Sequence, residues 1–177
     1  LQWKFFIPEE RMRDIEKVDR VPYDAWVKDD HIIATPGSTI DYSIIVSEIL
    51  ADADRFLISH IGFDAWNATA ISQKLEKEGL EVVKVSQGVG GLSEPSREFE
   101  RCVLDGTLQH LDHPVARWMA NNCEVYTDPS GNIKPVRPKH NASGKKIDGI
   151  VAAIMAIKLA STQMIDDFTN IGALWND

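Results

Sequence analysis

At 177 residues, 44 % of them hydrophobic, the chain is expected to form one domain with a sizeable buried core. A net charge of −8 argues against non-specific coating of nucleic acid or anionic membrane, though not against a local basic groove. No cationic leader precedes an apolar segment, the longest apolar run (150–157) is far too short to span a bilayer, and Cys102 and Cys123 lack disulfide-framework or metal-ligand spacing. A soluble intracellular chain is expected.

Residues 1–7, LQWKFFI, have strand composition and begin without a turn or cap, as a strand that has lost a neighbour would. Pro8, Glu9 and Glu10 open a short helix to about Arg20, and Pro22 starts a second amphipathic piece carrying Tyr23, Trp26 and Val27. Both look peripheral. A strand over 31–35 ends at Pro36 and Gly37, and Asp41 is placed to cap a helix bearing Ile44, Ile45, Ile49 and Leu50.

The next stretch organises the chain. Leu57, Ile58, Ile61 and Phe63 read as a strand over 56–63 buried on both faces, and Asp64 follows it directly. Asn67 then caps a helix over 68–78 that stops at Gly79, and 80–85 supplies a second apolar strand, making a βαβ unit. Ligands of open α/β sheets collect at the carboxyl ends of strands, which is where Asp64 lies; the simpler reading makes it part of the strand-to-helix turn.

Residues 87–95, QGVGGLSEP, read as a glycine-rich loop that either approaches a phosphate or only turns, and a helix follows from Ser93 to Gly106. A short strand over 108–110 precedes a helix begun by Pro114; His110, Asp112 and His113 are a weak metal-ligand pattern. A hairpin is expected where 124–127 and 133–136 flank Asp128-Pro-Ser-Gly131. Between Asn132 and Ile147, Lys134, Arg137, Lys139, Lys145 and Lys146 stand with no acid, so +5 gathers there and −13 remains elsewhere. Such a loop is either a solvated linker or a phosphate contact. Asp148 and Gly149 open an apolar helix over 150–160, and 164–177 is a weakly patterned tail. Asp148 is either a cap or a second carboxylate converging with Asp64. Carboxylates near a basic loop on an α/β scaffold suit metal-dependent phosphodiester hydrolysis.

The motifs GFDAWNATAISQKLEKEG, QGVGGLSEPSREFER, LQHLDHPVARWMANN, DPSGNIKP and KIDGIVAAIMA, with the earlier FFIPEE, VPYDAWV and ATPGSTIDY, resemble in order and spacing the C-terminal nuclease domain of tailed-phage terminase large subunits. The resemblance runs from about Trp3 to Ala160. It implies an α/β, RNase H-like mixed sheet flanked by helices over 1–160, with 161–177 as a tail, and a Mg²⁺- or Mn²⁺-dependent endonuclease with a two-metal site. It further implies cutting of concatemeric double-stranded DNA during packaging in the host cytoplasm, an upstream ATPase domain, small terminase subunit and portal as partners, and no membrane. By this resemblance Asp64 is the second acidic metal ligand and Asp148 the last. The first ligand belongs to a strand preceding the one that matches residues 1–7, a position this chain does not include. The alternatives are a catalytically incomplete module docking on DNA, portal or small subunit, and another RNase H-like nuclease such as a junction resolvase.

Overall fold

A computed structural model describes residues 1–64, 69–140 and 143–173, with 69–70 and 163–173 described by backbone alone. Two parallel strand pairs and one hairpin lie around a long C-terminal helix. Strand β1 (Phe6–Pro8) pairs in parallel with β2 (Ile33–Thr35), and the crossover between them carries α1 (Met12–Asp19) and α2 (Tyr23–Lys28). Lys4 ties the approach to β1 onto α3 (Tyr42–Ala53), its ammonium 2.9 Å from Glu48 and 2.7 Å from Asp52. Asp41 caps α3 by accepting from the Ser43 amide at 2.8 Å, as its position before an apolar run predicts.

Strand β3 (Ile61–Phe63) pairs in parallel with β4 (Val82–Lys84), the expected βαβ unit, with α4 (Thr69–Lys77) between them and Leu75 fully buried beneath it. Asn67, the expected cap, lies outside the described residues. The strand is shorter than 56–63: Phe56 and Leu57 are exposed, and pairing begins only where the Ile61 amide reaches Glu81 O. An apolar run is thus not buried merely by being apolar; the ladder with β4 sets how much of it becomes strand. A Cβ on Gly62 would lie 2.8 Å from Leu159 Cδ1, so a larger residue there would have to displace the tip of that side chain on α7 (Asp148–Ala173).

Helix α5 (Val89–Leu104) begins inside the stretch expected to be a glycine-rich loop. Pro95 sits within it and has no amide to offer the Gly91 carbonyl one turn back, and Lys158 Nζ donates to that oxygen instead at 2.9 Å. A tertiary contact therefore offsets the local signal that argued for a loop. Helix α6 (Pro114–Asn121) starts at Pro114, and β5 (Glu124–Thr127) with β6 (Ile133–Val136) forms the expected hairpin. Residues 108–110 are not a strand. The last helix continues past Ala160 to Ala173.

The core joins Ile7, Ile32, Val85, Leu92, Val115, Met119, Ile150, Ile154 and Met155 with Tyr23. The α1 and α2 segments are accordingly not peripheral. Tyr23 is 4 % exposed and meets Trp26 and Trp118 edge-on, while Met12 and Ile15 pack against the core.

Candidate active site

Asp64 follows the last residue of β3 and is half-buried, while Asp148 is the first residue of α7 and exposed. Among the described residues neither carboxylate is engaged in a hydrogen bond or ion pair, and no three His, Cys, Asp or Glu side chains gather as a metal-binding set. Strand β3 meets α7 through Leu159, about 16 Å along the helix axis from Asp148. Uncommitted carboxylate oxygens are what hard divalent cations take, so these two residues fit Mg²⁺ or Mn²⁺ better than a metal preferring thiolate or imidazole.

Asp148 lines a cavity of about 620 Å³ whose walls are residues 1–8, Tyr23, Ile40 and Ile45, with Lys146 and the α7 face of Gly149, Ala152, Ala153 and Ala156. A second cavity of about 260 Å³ shares Ala152 and Ala156 and is lined on its other side by Ser59, His60 and Gly62 of the β3 segment. Both cavities abut the Ala152 and Ala156 face of α7, the first lined by the β1 segment and the second by the β3 segment.

Beside Asp148 is a cluster that the sequence reading missed. Asp19, its side chain only 2 % exposed, accepts from the Tyr23 hydroxyl at 2.7 Å and pairs with Lys146 Nζ at 3.4 Å. Burial first, then the hydrogen bond and charge of Asp19, then the charge of Asp148, push the Tyr23 phenol above its ordinary range. The signal lay in the α1 spacing: Asp19 falls at i+4 and i+7 from Ile15 and Met12, an acid on the apolar stripe.

The five cations of the basic segment are not equivalent. Lys134 lies half-buried in β6, Lys146 is paired with Asp19, and Arg137, Lys139 and Lys145 are exposed with no ion-pair partner among the described residues. His110, Asp112 and His113 do not form a metal site. Asp112 pairs with Arg117 at 2.6 Å, and the His113 ring packs 5.2 Å from Phe5 and 5.0 Å from His31, between ring centroids. Burial, and then the neighbouring His31 charge, hold the His113 imidazole below its usual range.

The family model described as "Terminase large subunit, endonuclease domain" matches residues 1–163. The chain belongs to this terminase nuclease family. It is 31 % identical over 164 residues to the terminase large subunit of Enterobacteria phage HK97, covering 92 % of this chain and 32 % of that protein. It is likewise 31 % identical over 158 residues to Protein YmfN of Escherichia coli K12, covering 87 % of this chain and 34 % of that one. The chain thus spans about a third of the curated relatives it matches.

The crystal structure of the HK97 bacteriophage large terminase superposes with a TM-score of 0.76 at 30 % identity, covering 88 % of this chain and 33 % of that one. The large terminase nuclease from thermophilic phage G20c shares the fold, with a TM-score of 0.54 at 14 % identity over 69 % of this chain and 64 % of that chain. The fold is therefore the RNase H-like one expected of a terminase nuclease. Among the described residues no helix is long and apolar enough to cross a membrane.

Proposed function

We propose that this chain acts as the endonuclease part of a phage or prophage terminase large subunit, hydrolysing concatemeric double-stranded DNA with Mg²⁺ or Mn²⁺ in the bacterial cytoplasm. The observation that carries this reading is the family match over residues 1–163 together with two carboxylates, Asp64 and Asp148, that no described residue engages, at a strand end and a helix start. An ATPase domain upstream, the small subunit and the portal are the partners that the relatives' length and family suggest. Residues 1–160 would be the nuclease domain and 161–177 an appended tail.

Asp64 and Asp148 supply carboxylate oxygens, and their convergence on one cation to within roughly 4 to 7 Å is part of the proposal. Asp64 and Asp148 would hold a divalent cation, which would supply Lewis-acid chemistry there by activating an attacking water and stabilising the leaving oxygen. Arg137, Lys139 and Lys145 hold the phosphodiester backbone, and the loop bearing them leads directly into Asp148, so a captured strand passes the site. The family's remaining carboxylate belongs on a preceding strand. The cavities on the two sides of Ala152 and Ala156, lined by the β1 and β3 segments, are where such a strand would lie.

Plasmid cleavage tests this. The chain should nick DNA weakly with Mn²⁺, and a longer version carrying the preceding strand should do so at least about tenfold faster, as the addition of a whole ligand should exceed the effect of a supporting contact. Asp64→Asn or Asp148→Asn should abolish cleavage in both. Robust cleavage that survives Asp64→Asn overturns the assignment. A second reading is a module that docks on DNA without cutting. It prevails if the longer version binds duplex but does not cut it.

A further inference from the structure

Lys146 stands two residues before Asp148, and both side chains line the wall of the same cavity. A lysine so placed is a competitor for any cation at that carboxylate, because its ammonium can pair with Asp148 and occupy the oxygens a metal needs. In the structure it does not do so. Its Nζ lies 3.4 Å from Asp19 Oδ2, and the Tyr23 hydroxyl donates to that same oxygen at 2.7 Å, fixing the buried acceptor in place.

The backbone around Lys146 is held as well. The Lys146 carbonyl accepts from Asn122 Nδ2 at 3.2 Å. Gly144 has φ of +75° and lies so close to α1 that a Cβ on it would sit 2.5 Å from Val18 O. Gly149, on the far side of Asp148, donates its amide to Met119 Sδ at 3.1 Å and packs against the Phe5 ring. The chain on both sides of Asp148 is therefore pinned, and the lysine head group is turned toward α1.

We propose that Asp19 is a positioning residue that sequesters the Lys146 ammonium and so keeps the Asp148 carboxylate open to a divalent cation. Burying a carboxylate on the apolar stripe of α1 is costly unless it is paired and hydrogen-bonded, and the pairing it receives is the one that removes a competitor from Asp148. Tyr23 supports Asp19 through the hydrogen bond from its hydroxyl. The inference rests on the reading of Asp148 as a metal ligand.

The test measures Mn²⁺ binding to the chain from paramagnetic broadening of the Gly149 amide resonance, alongside melting temperature. Asp19→Asn should weaken Mn²⁺ binding about tenfold, the lower end of what loss of a supporting contact costs. Adding Lys146→Met to Asp19→Asn should restore most of that affinity, because the freed competitor is gone. Leu75→Ala, in the core under α4, should lower the melting temperature and leave Mn²⁺ affinity alone. Asp19→Asn with unchanged affinity, or a double variant that recovers nothing, overturns the proposal; so does an equal loss in Leu75→Ala, which would mean only general loosening. Broadening at Gly149 that is absent in the unsubstituted chain, or that survives Asp148→Asn, instead defeats the underlying reading of the site.

Discussion

Duplex binding by the basic segment is the most quantitative expectation, because the structure divides its five cations into exposed and engaged ones. Arg137, Lys139 and Lys145 are exposed and unpaired among the described residues, whereas Lys134 is half-buried in β6 and Lys146, its side chain still 41 % exposed, is paired with Asp19. Three phosphate contacts give a slope of about −2.7 for log K against log salt, or about a 40-fold loss of affinity between roughly 50 and 200 mM. Five contacts would give about −4.5 and about a 500-fold loss over the same range. The remaining net charge of −13 repels DNA, so affinity should be modest and nearly independent of sequence. Fluorescence anisotropy of a labelled duplex titrated at several salt concentrations measures the slope. Substituting Arg137, Lys139 and Lys145 together with Ala should bring it close to zero without moving the melting temperature, and Lys146→Ala should leave it unchanged. A triple variant with the parental slope would make the segment a linker and refute the division drawn from exposure. A drop of about 0.9 on Lys146→Ala alone would refute the claim that Asp19 holds this lysine.

Gly144→Ala should destabilise the fold by more than the roughly 1–2 kcal/mol that a left-handed backbone costs an L residue, because the added Cβ also meets the Val18 carbonyl; a fall in denaturation midpoint checks it. Lys158→Met should cost about 1–3 kcal/mol in the same assay by leaving the Gly91 carbonyl without the donor that replaces the missing Pro95 amide. The depressed His113 imidazole makes the neutral form the one the fold prefers. Its contribution to stability is complete above the unfolded value of 6.5 and is lost as the pH falls below it, since the unfolded chain then binds the proton more readily. Melting temperature should therefore fall on acidification from neutral pH, and less steeply in His113→Asn; an identical slope in that variant would show that other groups carry the effect.

Much of the local structure was legible in the sequence. Asp41 before an apolar run, Pro114 at a helix start, the turn at Asp128-Pro-Ser-Gly131 and the strand-helix-strand pattern around Asp64 each depend on neighbours a few residues apart, and each appears as expected apart from the exact strand length. The motif resemblance likewise reached the family, because spacing along the chain is retained where the fold is retained. The joint placement of Asp64 and Asp148 stands as a proposal on that resemblance.

Other features depended on contacts between residues far apart in sequence. Leu57 is exposed although its run is apolar, because pairing with β4 begins only at Ile61. Helix α5 runs through a glycine- and proline-containing stretch, and Lys158, 67 residues from Gly91, supplies the hydrogen bond that Pro95 cannot. The α1 spacing puts Asp19 on the apolar stripe but names no partner for it, and only packing of α1 against the segment before α7 buries it and turns Lys146 toward it. Periodicity, capping and turn chemistry act over a few residues and are written in the chain, whereas burial and ion pairing are decided by which distant segments the fold brings together.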